Sequence, residues 1–256
     1  MNNGAIGIFD SGIGGLSIYR EIKNLIKNES TIYIADNLNA PYGKKNENQI
    51  IDLSIENTKK LIEKGSKIIV VACNTATTNA VSILREEFKV PIVGVEPSVK
   101  PALLNTKTKN IGILATEKTL SSKLFQKTSD KFSNGITIHE KIGFDLVEII
   151  EKNGIKESLL NPKLKQYTSE MINNNIDHLV LGCTHYYYLI PLLKKILPKN
   201  VTILDSSKAV AKRTEYLLKY HNIQSDVKKH SNKFYYTGNS NVITSFLINK
   251  ENITRL

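Results

Sequence analysis

Two short stretches limit most of what this chain can become. Ile68-Ile69-Val70-Val71-Ala72-Cys73-Asn74-Thr75-Ala76 is an apolar run ending in a cysteine and small polar residues. Leu179-Val180-Leu181-Gly182-Cys183-Thr184-His185 repeats the pattern. Continuous runs of Ile, Val and Leu read as strands buried on both faces of a parallel sheet. These are the chain's only two cysteines, and each stands where a buried strand runs out into a loop. Any fold of this chain therefore presents two thiols at two strand ends.

The rest of the chain alternates in the same way. Strands are expected over 5–10, 31–36 and 90–96, with helices over 16–27, 47–64 and 77–88 between them. From about Ser98 the order begins again: a strand over 110–116, a helix over 121–131 and a strand over 136–139. Helices over 143–152 and 162–173 lead to the Cys183 strand, a helix over 188–196 and a strand over 201–205. A helix over 209–220, the basic linker Lys228-Lys229-His230, a strand over 234–237 and a helix over about 242–247 end the chain. This alternation means α/β, with an open parallel sheet covered on both faces. The two halves also echo each other. Ile6-Gly7-Ile8-Phe9 is similar to Ile111-Gly112-Ile113-Leu114, the Cys73 run to the Cys183 run, and 93–98 to 202–207, at offsets of 105, 110 and 109 residues. A near-constant offset implies two similar open parallel-sheet lobes related by a pseudo-twofold axis, with the active site in the cleft. The expected division is 1–97 plus 208–256 for the first lobe, with a C-terminal return onto it, and 98–207 for the second.

Composition removes several classes. No apolar run approaches the roughly 18 residues needed to span a membrane, and Met1-Asn2-Asn3-Gly4-Ala5 is not the start of a signal peptide. Two cysteines make no disulfide framework, and reduced thiols suit a cytoplasmic location. The net charge of +11 invites a nucleic-acid reading. Against it, arginine occurs only at 20, 85, 213 and 255, and the lysines are scattered, whereas groove readers favour arginine. A zinc site is disfavoured too: there is no C-x-x-C, and only His185 stands near either cysteine.

Ligands of open α/β sheets bind beyond the carboxyl ends of the strands. Asp10, Cys73, Thr116 and Cys183 all lie at such ends. Ser11-Gly12-Ile13-Gly14-Gly15 lacks both the P-loop lysine and the dinucleotide glycine spacing, so it is a tight strand-to-helix turn. A single cysteine at a strand end is ordinarily a small core residue; the paired, repeated placement argues for chemistry. Two thiols on opposite faces of one carbon invert it, one removing a proton as thiolate and the other returning one as thiol. Asp10 is placed to reach Cys73, His185 to exchange protons with Cys183, and Glu148 to orient His185. Asn74 and Thr75, with Thr184, suit a substrate carboxylate. His139, His178, His221 and His230 read as packing or surface residues.

The motifs resemble those of the glutamate racemases, in the cofactor-independent aspartate/glutamate racemase superfamily. The matching pieces are Phe9-Asp10-Ser11-Gly12-Ile13-Gly14-Gly15-Leu16, Pro41-Tyr42-Gly43, Ala72-Cys73-Asn74-Thr75-Ala76 and Gly182-Cys183-Thr184-His185-Tyr186. The resemblance implies interconversion of L- and D-glutamate without pyridoxal phosphate or metal, for peptidoglycan synthesis in a bacterial cytoplasm. It implies that Cys73 takes the α-proton of D-glutamate and Cys183 that of L-glutamate, assisted by Asp10, Glu148 and His185. Substrate contacts are implied at Asp10, Ser11, Pro41, Tyr42, Gly43, Asn74, Thr75, Thr116, Thr119, Thr184 and His185. A homodimer is implied, and no activation by a cell-wall precursor, which in the family goes with an N-terminal extension. Two departures stand out: Tyr187-Tyr188 where the family often has proline, and 141–147 without the family's Cys-Pro and second proline. The alternatives are a racemase of aspartate or a related diacid, a two-lobed amino-acid-binding protein without chemistry, and a nucleic-acid-associated role.

Overall fold

A computed structural model describes residues 4–226, 230–247 and 253–256. Lys228 and Lys229 of the expected basic linker lie outside the described residues. The first half is β1 (Ala5–Asp10), α1 (Leu16–Leu25), β2 (Thr31–Ala35), α2 (Glu47–Glu63), β3 (Ser66–Val71), α3 (Asn74–Glu87) and β4 (Ile92–Gly94). The second is α4 (Val99–Asn105), β5 (Asn110–Ala115), α5 (Glu117–Leu120), α6 (Lys123–Phe132), β6 (Thr137–Ile142), α7 (Leu146–Asn153), α8 (Glu157–Asn173), β7 (His178–Gly182), α9 (Ile190–Ile196) and β8 (Thr202–Leu204). α10 (Ser207–Tyr220), β9 (Asn232–Tyr236), α11 (Ser240–Phe246) and β10 (Ile253–Arg255) follow.

The strands form two sheets, ordered β10-β9-β2-β1-β3-β4 and β6-β5-β7-β8. Every described pairing is parallel. The order 2-1-3-4 in one sheet recurs as 6-5-7-8 in the other, so the expected pair of similar α/β lobes is present. β9 pairs with β2, and β10 with β9, so the end of the chain returns to the first sheet.

Burial explains the apolar runs. All residues of β1, β2 and β3 are buried, as strands covered by helices on both faces must be. Side chains alternate between the faces. Ile6, Ile8, Ile68 and Val70 join an apolar cluster that continues into Leu179, Leu181 and Leu189 of the second half. Phe9, Ile69 and Val71 pack on the other face with Ala76, Ala80 and Leu84 of α3. The two crossings between the halves are laced together: Ser98 Oγ lies 3.0 Å from Ser206 Oγ, and the Ser206 hydroxyl donates to the Glu96 carbonyl at 2.5 Å.

Local differences from the expected elements have local causes. α3 begins at Asn74 rather than 77, because Cys73 is itself the N-cap and its sulfur accepts from the Ala76 N–H at 3.5 Å. α8 begins at Glu157, so Pro162 lies inside it instead of starting it. At the sixth position it lies past the first four N–H groups, so it leaves the Ser158 carbonyl without its intrahelical donor. The segment Thr184–Leu189 is a 3₁₀ turn ahead of α9.

A buried acid ties the start of β7 to the loop before β5. The Asp177 carboxylate accepts from Thr106 Oγ1 at 2.8 Å, from the Lys107 and Thr108 N–H groups, and lies 2.7 Å from His178 Nδ1. Burial alone would raise its pKa; His178 and these donors outweigh that and hold the carboxyl well below the usual range. A depressed carboxyl stabilises the fold above its unfolded pKa, near 4, and that contribution drains away as pH falls toward the folded value. Asp177→Asn should therefore destabilise the protein by about 2 kcal/mol at neutral pH and flatten the acid limb below pH 4. Urea unfolding at a series of pH values measures both.

Candidate active site

The carboxyl ends of β1, β3, β5 and β7 converge between the two sheets. Cys73 directly precedes α3, and Cys183 follows β7 by one residue. Both sulfurs line one small cavity, together with Ser11, Tyr42, Thr116 and His185. Pro41, Gly43, Asn74, Thr75, Thr184 and Val147 complete its wall. Cys73 is 5% exposed and Cys183 9%. A thiol pair presented by two sheets to one closed space is the arrangement that the repeated strands led us to expect.

The surroundings of the two sulfurs differ. The Cys73 thiol donates to Ser11 Oγ at 3.6 Å. Burial, and then the charge of Asp10, push its pKa well above the usual thiol value. Cys183 Sγ lies 3.9 Å from His185 Nδ1. His185 is 1% exposed. Burial works against its charged form, but Cys183 and Glu151 outweigh burial and hold its imidazolium well above the ordinary histidine range. One sulfur thus stands near a buried carboxyl group and the other beside an imidazole whose charged form is favoured.

The second arm of His185 corrects the sequence reading. Nε2 meets Glu151 Oε1 at 2.6 Å; Glu148 does not orient this histidine. Leu146, Val147 and Ile150 are the buried face of α7, and that rotation aims Glu151 inward. Glu148 instead pairs with Lys44 of the 42–44 turn. The two glutamates stand three positions apart on one helix, and sequence spacing alone did not choose between them.

Asp10 is fully buried. Its carboxylate accepts from the Gly12 N–H at 3.0 Å and the Thr184 hydroxyl at 3.3 Å. The expected reach to Cys73 is electrostatic, without a hydrogen bond, and burial raises the Asp10 carboxyl. Tyr42 lines the cavity with its ring while its hydroxyl donates to Asp36 at 2.6 Å. The Asn74 side-chain amide donates to the Val95 carbonyl at 3.1 Å, so Asn74 offers the cavity chiefly the backbone of the first turn of α3. Thr75 and Thr116 join hydroxyls across the two halves at 2.9 Å. Thr119, fully buried, sits behind them at 2.9 Å from Thr116 and 3.4 Å from Thr75.

The glycine turn after β1 is shaped by what it presses against. A Cβ on Gly12 would stand 1.9 Å from Glu151 Oε1, and one on Gly14 2.5 Å from His185 Nδ1. Between them the Ile13 N–H donates to Glu151 Oε1 at 2.8 Å. The glycines that resembled a phosphate loop are a seat for the acid–base pair of the other half. A larger cavity of about 820 Å³ lies beside this seat, lined by Asn37, Pro41, Glu148, Glu151, Lys152 and Asn239. It shares Pro41 and Val147 with the cavity of the sulfurs.

Residues 6–214 match the model of the Asp/Glu/hydantoin racemase family. The chain belongs to that family. The glutamate racemase of Herpetosiphon aurantiacus is 40% identical over 218 residues, 85% of this chain and 86% of that protein. Among solved structures, a glutamate racemase isoform of Bacillus anthracis superposes with a TM-score of 0.89 at 28% identity, covering 100% of this chain and 98% of its own. The glutamate racemase of Francisella tularensis, solved with D-glutamate, gives 0.85 at 29% identity and covers 99% and 97%. Among the described residues no helix is long and apolar enough to cross a membrane, and no three His, Cys, Asp or Glu side chains group as metal ligands.

Glu151→Gln should lower the pH at which His185 titrates, because it removes the carboxylate that favours the imidazolium. Glu148→Gln should leave that titration in place. NMR of ¹⁵N-histidine-labelled protein resolves the difference, and an unmoved His185 in Glu151→Gln would overturn the pairing.

Proposed function

We propose that this chain is a glutamate racemase that transfers protons through Cys73 and Cys183. The observation that carries the reading is that both sulfurs, from different sheets, line one buried cavity. Curated relatives at about 40% identity carry the same name, and a neighbour of the same fold was solved with D-glutamate. The division into lobes 1–97 plus 208–256 and 98–207 is part of the proposal; the shared strand order supports it.

The step is a two-base inversion. The α-carbon of glutamate lies between the sulfurs. Cys183, as thiolate, takes the α-proton of L-glutamate; the electron pair left on carbon takes the Cys73 thiol proton from the opposite face, and D-glutamate results. From D-glutamate the roles exchange. The asymmetry of the site suits the first direction. Cys73 is kept as a thiol by burial and Asp10, and an imidazolium at His185 balances negative charge on the Cys183 side. Taking a proton from an α-carbon requires stabilising the charge it leaves. The N-terminus of α3, 14 residues long, opens at Asn74 beside the cavity, and its unpaired amides and dipole favour a carboxylate gaining negative charge. Ser11, Thr75, Thr116 and Thr184 supply hydroxyls for the two carboxylates. A closed cavity keeps these dipoles unscreened by water.

After each turnover the thiols have exchanged protonation, and exchange with water resets them. The same reading makes the product a precursor of peptidoglycan in a bacterial cytoplasm and the working unit a homodimer; these rest on the four motifs shared with the glutamate racemases. The chain incubated with L-glutamate in heavy water, without cofactor, should form D-glutamate carrying deuterium at the α-carbon. Cys73→Ser and Cys183→Ser should each abolish racemisation. Unlabelled product, or racemisation surviving either substitution, sinks the two-thiol step. Faster turnover of aspartate than of glutamate would move the substrate, and tight glutamate binding without proton exchange would indicate a binding protein.

A further inference from the structure

The double tyrosine Tyr187-Tyr188 follows Gly182-Cys183-Thr184-His185-Tyr186 directly, and the proposed reaction does not use it. Tyr188 turns inward and is 9% exposed. Its hydroxyl donates to the Ile13 carbonyl at 3.2 Å. Its ring packs edge-on against Phe246 of α11, with centroids 4.7 Å apart. The Arg20 guanidinium lies 5.9 Å from the same ring and donates to the Phe246 carbonyl. Ile13 is the residue whose N–H donates to Glu151.

We infer that Tyr188 is a positioning residue for the His185–Glu151 pair, holding Ile13 by its carbonyl while Glu151 holds it by its amide. Tyr188 and His185 share one 3₁₀ turn, so the turn that carries the histidine also grips the loop on which it rests. Gly12 and Gly14 carry no side chains on either side of Ile13; with the buried Ile13 side chain and the Tyr33 hydroxyl on the Gly12 carbonyl at 2.9 Å, the two backbone hydrogen bonds of Ile13 fix the loop against the acid–base pair. Phe246 and Arg20 hold the Tyr188 ring, which ties the C-terminal return of the chain to the acid–base pair. The inference rests on the racemase reading for its kinetic consequence, but not for its structural one.

Tyr188→Phe keeps the ring between Phe246 and Arg20 and deletes only the hydroxyl. Loss of one such hydrogen bond should lower kcat in both directions about three- to tenfold. KM should change little, as expected when positioning rather than binding is lost. The kcat/KM values of the two directions must stay equal, since the enantiomers have equal free energy. His185 should titrate at a lower pH than in the parent. The charged or titratable groups facing it, Glu151 on α7, Cys183 after β7 and Asp10 on β1, are all retained in this variant. Tyr188→Leu, which also removes the ring, serves as the packing control and should lower Tm more than Tyr188→Phe. If Tyr188→Phe leaves kcat and the His185 titration at parental values, Tyr188 only packs and the inference falls, whatever happens to Tm. If the parent does not racemise glutamate, the proposed function fails, while the His185 titration still decides the role of Tyr188.

Discussion

The Glu151 carboxylate accepts hydrogen bonds from His185 in its own half of the chain and from Ile13 in the other. Around this oxygen the rest of the site is assembled. It favours the imidazolium beside Cys183, seats the glycine turn after β1, and through that turn sets Asp10 and Ser11 near Cys73. The contact forms only when the two halves are closed on each other. Both sulfurs are nearly fully buried between the halves.

Closure also sets the electrostatics. In a buried site, a neighbouring charge acts on a thiol more strongly than in water. Burial and Asp10 oppose a thiolate at Cys73, while the His185 imidazole stands 3.9 Å from Cys183. Two identical side chains, drawn from repeated strands, are thereby made unlike. The inversion we propose uses such an inequality, because one sulfur gives a proton while the other takes one. The chemical difference comes from one acid and one histidine at the ends of different sheets.

Some of this was legible in the residues. The apolar runs marked the strands, since a strand covered on both faces has no polar side to display. The near-constant offset between halves marked the two lobes, and the two cysteines marked the site. Glu148 was the plain failure. α7 carries glutamates at 148 and 151, and the choice depends on how Leu146, Val147 and Ile150 rotate the helix into the core. The structure puts Glu148 against Lys44 and Glu151 against His185. The interior position of Pro162 and the 3₁₀ turn before α9 were missed for a related reason. Local propensity places a proline at a helix start, but burial of Leu160, Leu164 and Tyr167 extends α8 upstream of it.

By itself, then, the sequence determined the alternation of elements, their pairing into similar halves and the residue types available for chemistry, because periodicity and composition are properties of neighbouring residues. Only the tertiary structure decided which carboxylate meets His185, why Gly12 and Gly14 must lack side chains, and that Tyr188 reaches Ile13. Each of these is a contact between residues more than 30 positions apart in the chain. Such contacts depend on how helices rotate and how the two sheets face each other, and no local pattern encodes either.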